Sequence, residues 1–519
     1  MVGCLVMTSL AIAQQEPTRH VSHNVTTGYG MTGSVEDQYI PHQPPAIYMN
    51  THYQVVDPLG NAEAAYAQQQ VYGQGAYPQY YGDQYAYGYQ SFQPCESYRP
   101  GLWCGQWFVT GWIDQGFTYN TDQPRNKTNG PLKFNDRSNE FQLHQVYLSM
   151  GRSVANSGCS WDVGGRVDLL YGSDYLWTSA IGLETYTYGS RYGFPGNSAS
   201  SEDPAVMLSR WNSNNGPRVT QNNGASRFGL AMPQLYAEFY VPFYRGLNIK
   251  AGHFYSIMGY ESVMSPQNFF YSRSYTMMYG QPMTHTGFLF SQRLSNQLTG
   301  IFGVTRGWDT WEDPNEKLSY LAGFRWNSWD GRTEFSWIAA SGNETVNDKF
   351  GAGNSTKGAI RSNYSMVLSH QLTPRLKVVG QHDLGYEKYA ANETIGSNWI
   401  DGHWYSASGY VFYQLTRKLT LGARGEWFRD VNSGRIYRDY PIRGGLLGRG
   451  NIEGQDYSQV TVGLNWKPYD RLVIRPEARW DWSGVCRVDD NGDTIVGGMF
   501  GNFTKKSQTT LALNAYVTF

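Results

Sequence analysis

The sequence has no apolar run approaching the ~18 uncharged residues that a membrane-spanning helix requires, which excludes a helical membrane protein. It is also short of charge: Asp, Glu, Lys and Arg make up 16%, against roughly 25% in ordinary soluble domains. Neither sign dominates, since 41 basic residues face 42 acidic ones and leave a formal charge of -1. A polyelectrolyte partner such as nucleic acid is therefore not indicated. Mean hydropathy is -0.52, so aliphatic residues have not replaced the missing charge. What replaces it is 40 Tyr, 17 Trp, 23 Phe and 59 Gly in 519 residues. A transmembrane β-barrel has this composition, because its apolar residues are spread over alternate positions instead of being gathered in runs.

Cysteine is scarce as well. Met1 to Ala13 (MVGCLVMTSLAIA) is apolar and ends in Ala11-Ile12-Ala13, which reads as the end of a secretory signal whose basic start lies upstream. Removing it leaves Cys95, Cys104, Cys159 and Cys486, an even number for an oxidising compartment. Cys95 and Cys104 are near enough to close a small loop, which leaves Cys159 and Cys486 either paired or as free thiols. Their spacing matches no metal site, and no cofactor is expected. Residues 14–106 lack hydrophobic periodicity, and Ala62 to Phe92 is built from Gln, Tyr, Gly and Ala, so a disordered periplasmic leader is expected. His20, His23, His42 and His52 lie in it without ligand spacing and read as solvated. A contact with the cell wall competes with an inert leader.

From Trp107 alternation of period two takes over. In Trp161 to Gly172 the odd positions are Trp, Val, Gly, Val, Leu and Tyr, while the even ones include Asp162, Arg166 and Asp168. Successive side chains of a strand point to opposite faces, so an apolar stripe opposes a charged one. Leu419 to Asp430 and Leu472 to Trp482 repeat the pattern. About sixteen segments of membrane-crossing length follow: 107–120, 140–152, 161–171, 229–241, 247–257, 284–293, 298–308, 317–326, 332–341, 360–372, 376–388, 404–415, 419–430, 456–467, 471–482 and 507–519. Segments 140–152 and 298–308 alternate poorly. Tight turns such as Pro242 to Gly246, Leu294 to Gln297 and Thr416 to Lys418 alternate with long loops such as 172–228 and 431–455. Loop lengths sorted by rim are the mark of an outer-membrane barrel, so one all-β, up-and-down barrel is expected over 107–519.

The last strand places Leu511, Leu513, Ala515, Val517 and Phe519 on one face. A terminal amphipathic strand ending in Phe resembles the recognition signal read by the barrel assembly machinery. Tyr171, Tyr240, Phe243, Tyr244, Trp326, Trp329, Trp466, Tyr469 and Trp480 fall at strand ends, where they would form the two aromatic girdles at the lipid–water boundaries.

Several runs resemble the β-barrel porin family described as OmpL-like. They are Gly111-Trp112-Ile113-Asp114, Phe134-Asn135-Asp136-Arg137, Trp161 to Tyr171, Met232 to Glu238, Gly252-His253-Phe254-Tyr255 and, most closely, Asn268 to Gly287. The resemblance covers Trp107 to Phe519. It implies an outer-membrane pore-forming barrel with no catalytic residues to carry over.

If the apolar stripes face lipid, the other stripes face the lumen. That set contains Arg166, Asp168, Glu238, Lys250, Arg325, Glu334, Lys377, Asp383, Arg424, Glu426, Arg475, Glu477, Arg479 and Asp481. A charge on the lipid side at mid-membrane costs about 2–4 kcal/mol, so such a set points to a wet lumen or to charges that satisfy one another. The wet lumen is the expectation, because sixteen strands enclose more space than side chains fill. The loop Ile257 to Met283 is the expected constriction. It carries Glu261 and Arg273, with Met264, Phe269, Phe270, Tyr271, Tyr275, Met277, Met278 and Tyr279 lining a partly apolar eyelet. Glu261 would either face a basic patch across the lumen or belong to a loop that merely packs on the wall.

The function expected is a porin of the bacterial outer membrane that passes small hydrophilic solutes or ions. Abundant lumen Tyr and Trp lean toward sugars. Barrels of this size are often trimers, although no residue marks a trimer contact. A surface adhesin or structural barrel using the 172–228 loop is the alternative. An outer-membrane hydrolase is disfavoured, since His253, His285, His370 and His382 lie in strands with no Gly-x-Ser-x-Gly or similar signature.

Overall fold

Alternation of period two across lipid requires that every backbone N–H and C=O find a partner in a neighbouring strand, and only a closed sheet supplies one at every position. The computed structural model is such a sheet. It describes residues 107–154, 160–180, 182–187, 207–209, 228–312, 317–344, 360–392, 399–431, 435–436, 455–484, 487–488 and 494–519. The expected signal segment, the 14–106 leader and the cysteines lie outside these residues. Sixteen antiparallel strands close into one barrel. They are β1 (Trp107–Asn120), β2 (Glu140–Arg152), β3 (Asp162–Gly172), β4 (Gly229–Val241), β5 (Leu247–Tyr255), β6 (Thr284–Arg293), β7 (Leu298–Thr305) and β8 (Ser319–Asn327). There follow β9 (Thr333–Asn343), β10 (Ile360–Thr373), β11 (Leu376–Asn392), β12 (Trp399–Thr416), β13 (Leu419–Val431), β14 (Gln455–Tyr469), β15 (Leu472–Ser483) and β16 (Ser507–Thr518). Each strand pairs with its sequence neighbour, and β16 returns to β1, where Gly111 and Phe519 exchange backbone bonds of 3.1 and 2.9 Å.

Every expected segment is a strand. The two weak ones have physical reasons for their poor alternation. In β2 a bulge opposite Asp114 and Gln115 inserts one extra residue, so His144 and Gln145 are both buried and the period breaks there. In β7 the inward residue Ile301 is as apolar as the outward Phe302, because it packs in a cluster with Leu289, Leu321 and Ile338 of the neighbouring strands. Strands β11 and β12 run further toward the loop rim than expected, to Asn392 and from Trp399.

The connections sort by rim. One rim has the turns 242–246, 294–297, 328–332, 374–375, 417–418 and 470–471, the short side that faces the periplasm in such barrels. The opposite rim has the loops 121–139, 173–228, 306–318, 432–454 and 484–506. The apolar stripes are outermost: on β16, Leu511, Leu513 and Val517 are exposed to lipid while Thr510 and Asn514 are buried. The girdle aromatics are exposed on the outer face, with Trp329, Tyr469 and Tyr244 each more than 70% exposed at the short-turn rim. Tyr240 is a correction. It shares the inward face of β4 with Tyr236 and Glu238, and is buried there.

Candidate functional site

The segment 256–283 leaves β5 and returns to β6, yet it does not stand outside the barrel. Nearly all of it is buried, and its contacts run across the lumen to β1, β2, β10–β13 and β15. Irregular backbone at membrane depth leaves N–H and C=O groups that neither a helix nor a ladder satisfies, and each one left unpaired costs several kcal/mol. The wall supplies the partners. Glu477 accepts the N–H groups of Tyr271 and Ser272 at 2.9 and 3.2 Å. Glu426 accepts those of Tyr275 and Thr276 at 2.7 and 2.6 Å, and the Thr276 hydroxyl as well. Guanidinium groups serve the carbonyls: Arg475 donates to Ser265 and Asn268 at 3.0 and 2.9 Å, and Arg479 donates to Arg273 O at 2.6 Å. Arg424 donates to Ser272 O at 2.8 Å and to Glu261 at 2.6 Å. These are charge-assisted bonds, about twice as strong as neutral ones.

The loop also ties itself. Glu261 accepts Ser274 N–H at 2.6 Å, and Arg273 donates to the carbonyls of Ser262, Phe270 and Tyr271. The Tyr275 hydroxyl donates to Asp481 at 2.7 Å. Asp383 accepts Gln281 Nε2 at 2.6 Å. Inward glycines make sockets for the rings: a Cβ on Gly116 would lie 2.8 Å from the Tyr271 ring, and one on Gly422 would lie 2.2 Å from the Phe269 ring. On the β6–β9 arc, where the wall is apolar, the loop presents Ile257 and Met258.

From the loop rim, further residues clamp it. Lys133 Nζ donates to Met278 O at 2.9 Å, Tyr279 OH donates to Pro131 O, and Arg435 Nε donates to Tyr279 O at 2.8 Å. The 306–318 loop is tied by buried carboxyl groups. Glu184 accepts Trp311 Nε1 at 3.1 Å and the N–H groups of Ala180 and Met232. Burial pushes its carboxyl up to about 7, against three hydrogen bonds that pull it down. Asp309 accepts the N–H groups of Met283 and Thr284, both at 2.8 Å, and Glu344 accepts Trp308 N–H at 3.0 Å; burial raises both carboxyls.

Register places the expected lumen residues on the inward face, in three environments. Arg424, Glu426, Arg475, Glu477, Arg479, Asp481 and Asp383 are buried against the loop. Asp168 is buried in the wall, where it accepts bonds from Tyr147, Ser149, Arg166 and Gln234. Below the loop the wall is wetter. Glu334 is exposed, Arg166 and Arg325 are half-buried, and Lys250 and Lys377 point inward with little of their surface accessible. Arg325 reaches up to Ile257 O at 3.4 Å.

At loop depth the expected eyelet is a packed interior. Tyr271, Tyr275, Met277, Met278 and Tyr279 are buried, and the Glu261–Arg424 pair is enclosed with them. Among the described residues a cavity of about 20 Å³ lies there, lined by Tyr255, Met258, Glu261, Ser262, Gln267 and Gln281, room for one water. Sequence reasoning missed Gly116, Gly422 and Gly463, Gln145, which donates to Val263 O, and the clamp residues Lys133 and Arg435. The glycines alone carried a signal, as gaps in the charged stripe. Among the described residues no group of three or more His, Cys, Asp or Glu could hold a metal ion.

Several solved structures are similar to the chain at low sequence identity. The chain is similar to an anion-selective porin from Comamonas acidovorans, at 9% identity and TM-score 0.44 over 80% of this chain and all of that one. It is similar to OprB of Pseudomonas putida at 10% identity and TM-score 0.45, over 80% of this chain and 94% of that one. The outer membrane channel DcaP of Acinetobacter baumannii gives 11% identity and TM-score 0.43, over 80% and 97%. No curated protein matches the chain. Residues 108–519 match the model of the family described as Putative beta-barrel porin-2, OmpL-like, and the chain belongs to that family of outer-membrane barrels.

Proposed function

We propose that this barrel is an outer-membrane channel for small hydrophilic solutes or ions, and that conduction requires the 256–283 loop to yield part of the lumen it fills. One observation carries this reading: the lumen is filled by a single loop whose backbone is held to the wall by ionic and hydrogen bonds, with its Met, Phe and Tyr side chains packed among wall rings. Such bonds are exchangeable for water, so displacing the loop would re-solvate Arg424, Glu426, Arg475 and Glu477, while parting Phe269 and Phe270 from Val367, Val379 and Phe412 of the wall sets the cost of opening. A structural or adhesive barrel is the second reading, favoured by the tight packing at loop depth. Membrane insertion would use the C-terminal strand, whose Phe519 ring is half exposed on the outer face and available to the assembly machinery. A homotrimer and a cell-wall contact through the leader complete the proposal.

Swelling of liposomes that contain the refolded chain, in solutes of graded size, tests the channel. Entry of small solutes with exclusion of larger ones is expected. Liposomes that stay impermeable to every solute would leave the structural reading.

A further inference from the structure

Beneath the loop the inward wall is not electrically balanced. On β2–β5 each of these cations has a carboxylate beside it: Arg166 bonds Asp168 at 2.8 Å, Arg152 pairs with Asp162 at 2.8 Å, and Lys250 is the register partner of Glu238. The β6–β11 arc differs. Its inward positions nearest the short-turn rim carry Arg293, Arg325 and Lys377 against one carboxylate, Glu334. Arg293 and Arg325 share a rung through Thr299, so two strand spacings, roughly 10 Å, separate their backbones. Glu334 lies diagonally next to Arg325, opposite Asn327, and is the most exposed of the four.

Lys377 is the second observation. It points into the lumen beside Gln371 and Phe412, is 9% exposed, and among the described residues its ammonium makes no hydrogen bond and no ion pair within 4 Å; Glu334 is the charged group that attracts it. Among the described residues the Arg293 side chain bonds the carbonyl of Ser295, in its own turn, at 3.4 Å. A buried ammonium aimed into a wet vestibule without a bonded partner is stabilised by an anion.

We propose that the β6–β11 arc under the loop is a binding site for small oxyanionic solutes bearing carboxylate or phosphate groups, with Lys377, Arg293 and Arg325 as the residues that set the preference. The site deepens the channel reading by giving it a substrate class, and it shifts the expectation away from sugars, since the inward aromatics at loop depth are packed. Glu334 tunes the site by removing part of its positive charge. Phosphate and dicarboxylates are held by the same chemistry, so both are probes.

The local potential can be read without conduction. Gln371→Cys, in the full chain with native cysteines changed to serine, places a thiol opposite Lys377. Its modification by a methanethiosulfonate bearing a sulfonate is compared, at low salt, with one bearing a trimethylammonium group. The anionic reagent is expected to react at least about tenfold faster, the lower end of electrostatic steering in a charged cleft. Inorganic phosphate or succinate should slow it. The ratio should fall toward one in R293Q/R325Q/K377Q and rise in E334Q, a change at an exposed position that keeps the test valid if the triple variant does not fold. A ratio at or below one, or a ratio indifferent to E334Q, overturns the proposal. The two readings separate cleanly: an anion-favouring thiol in a non-conducting barrel removes the channel and keeps the site, whereas a conducting barrel with a neutral thiol does the reverse.

Discussion

Two levels of one lumen obey the same alternation and put their inward charges to different uses. At loop depth Arg424, Glu426, Arg475 and Glu477 are buried, and their oxygens and nitrogens are taken up by the backbone of 256–283. Nearer the short-turn rim Glu334, Arg293 and Arg325 keep part of their surface in water. Strand geometry fixes only the direction in which a side chain points. What it meets there depends on whether a loop arrives.

The comparison breaks first at the Glu261–Arg424 pair. Arg424→Ala removes one partner of a buried ion pair and strands Glu261 and Ser272 O, a loss of about 3–5 kcal/mol by analogy with other buried pairs. The expected result is a lower urea midpoint together with faster proteolysis inside 256–283, and E261Q added to it should recover part of the loss. The lipid side offers a control of similar kind: Leu513→Arg sets a cation against hydrocarbon and is expected to cost about 2–4 kcal/mol in folding into bilayers, without altering loop protection. Filling a socket is milder. Gly422→Leu would drive into the Phe269 ring, an overpacking of about 1–3 kcal/mol, seen as loop release in hydrogen exchange; the same change at Gly425, whose Cβ would meet nothing within 4 Å, should leave exchange unchanged.

The smallest effect is electrostatic. Burial raises the Glu184 carboxyl from an ordinary 4.5 to about 7. Its protonated form is therefore the one favoured by the native state, so its contribution is complete below about pH 4.5 and is lost as the pH rises through about 7. Trp311 fluorescence should report loosening of the 306–318 loop over that window, and Glu184→Gln should flatten the response. A Trp311 signal that tightens with rising pH would contradict it.

Much of this was legible in the sequence. Period-two stripes located most of the barrel strands, all but β2 and β7 clearly, and sorted loop lengths identified the two rims, because both follow from a cylinder with lipid outside it. The loop after β5 was the expected constriction by analogy with other sixteen-stranded porins, but nothing in its residues showed that it enters the lumen. The partner of each inward charge was not legible either. Alternation says that Arg475 and Glu477 share a face, but only the folded loop reveals that one serves carbonyls and the other amides. Tyr240 misled for a related reason: a ring at a strand end suits a girdle, and only its register with Asp162 and Asn248 turns it inward. His144 beside Gln145 broke the period of β2 through a bulge that no composition rule marks.

Single-channel conductance of the refolded chain, compared with a variant in which 258–281 is replaced by a short Gly/Ser linker, tests the central claim most directly. If the loop fills the lumen, the linker variant should conduct several-fold more current than the parent, in longer-lived open events. Equal conductance in the two barrels would mean that solute passes elsewhere, or not at all, and that the loop is not what closes the path.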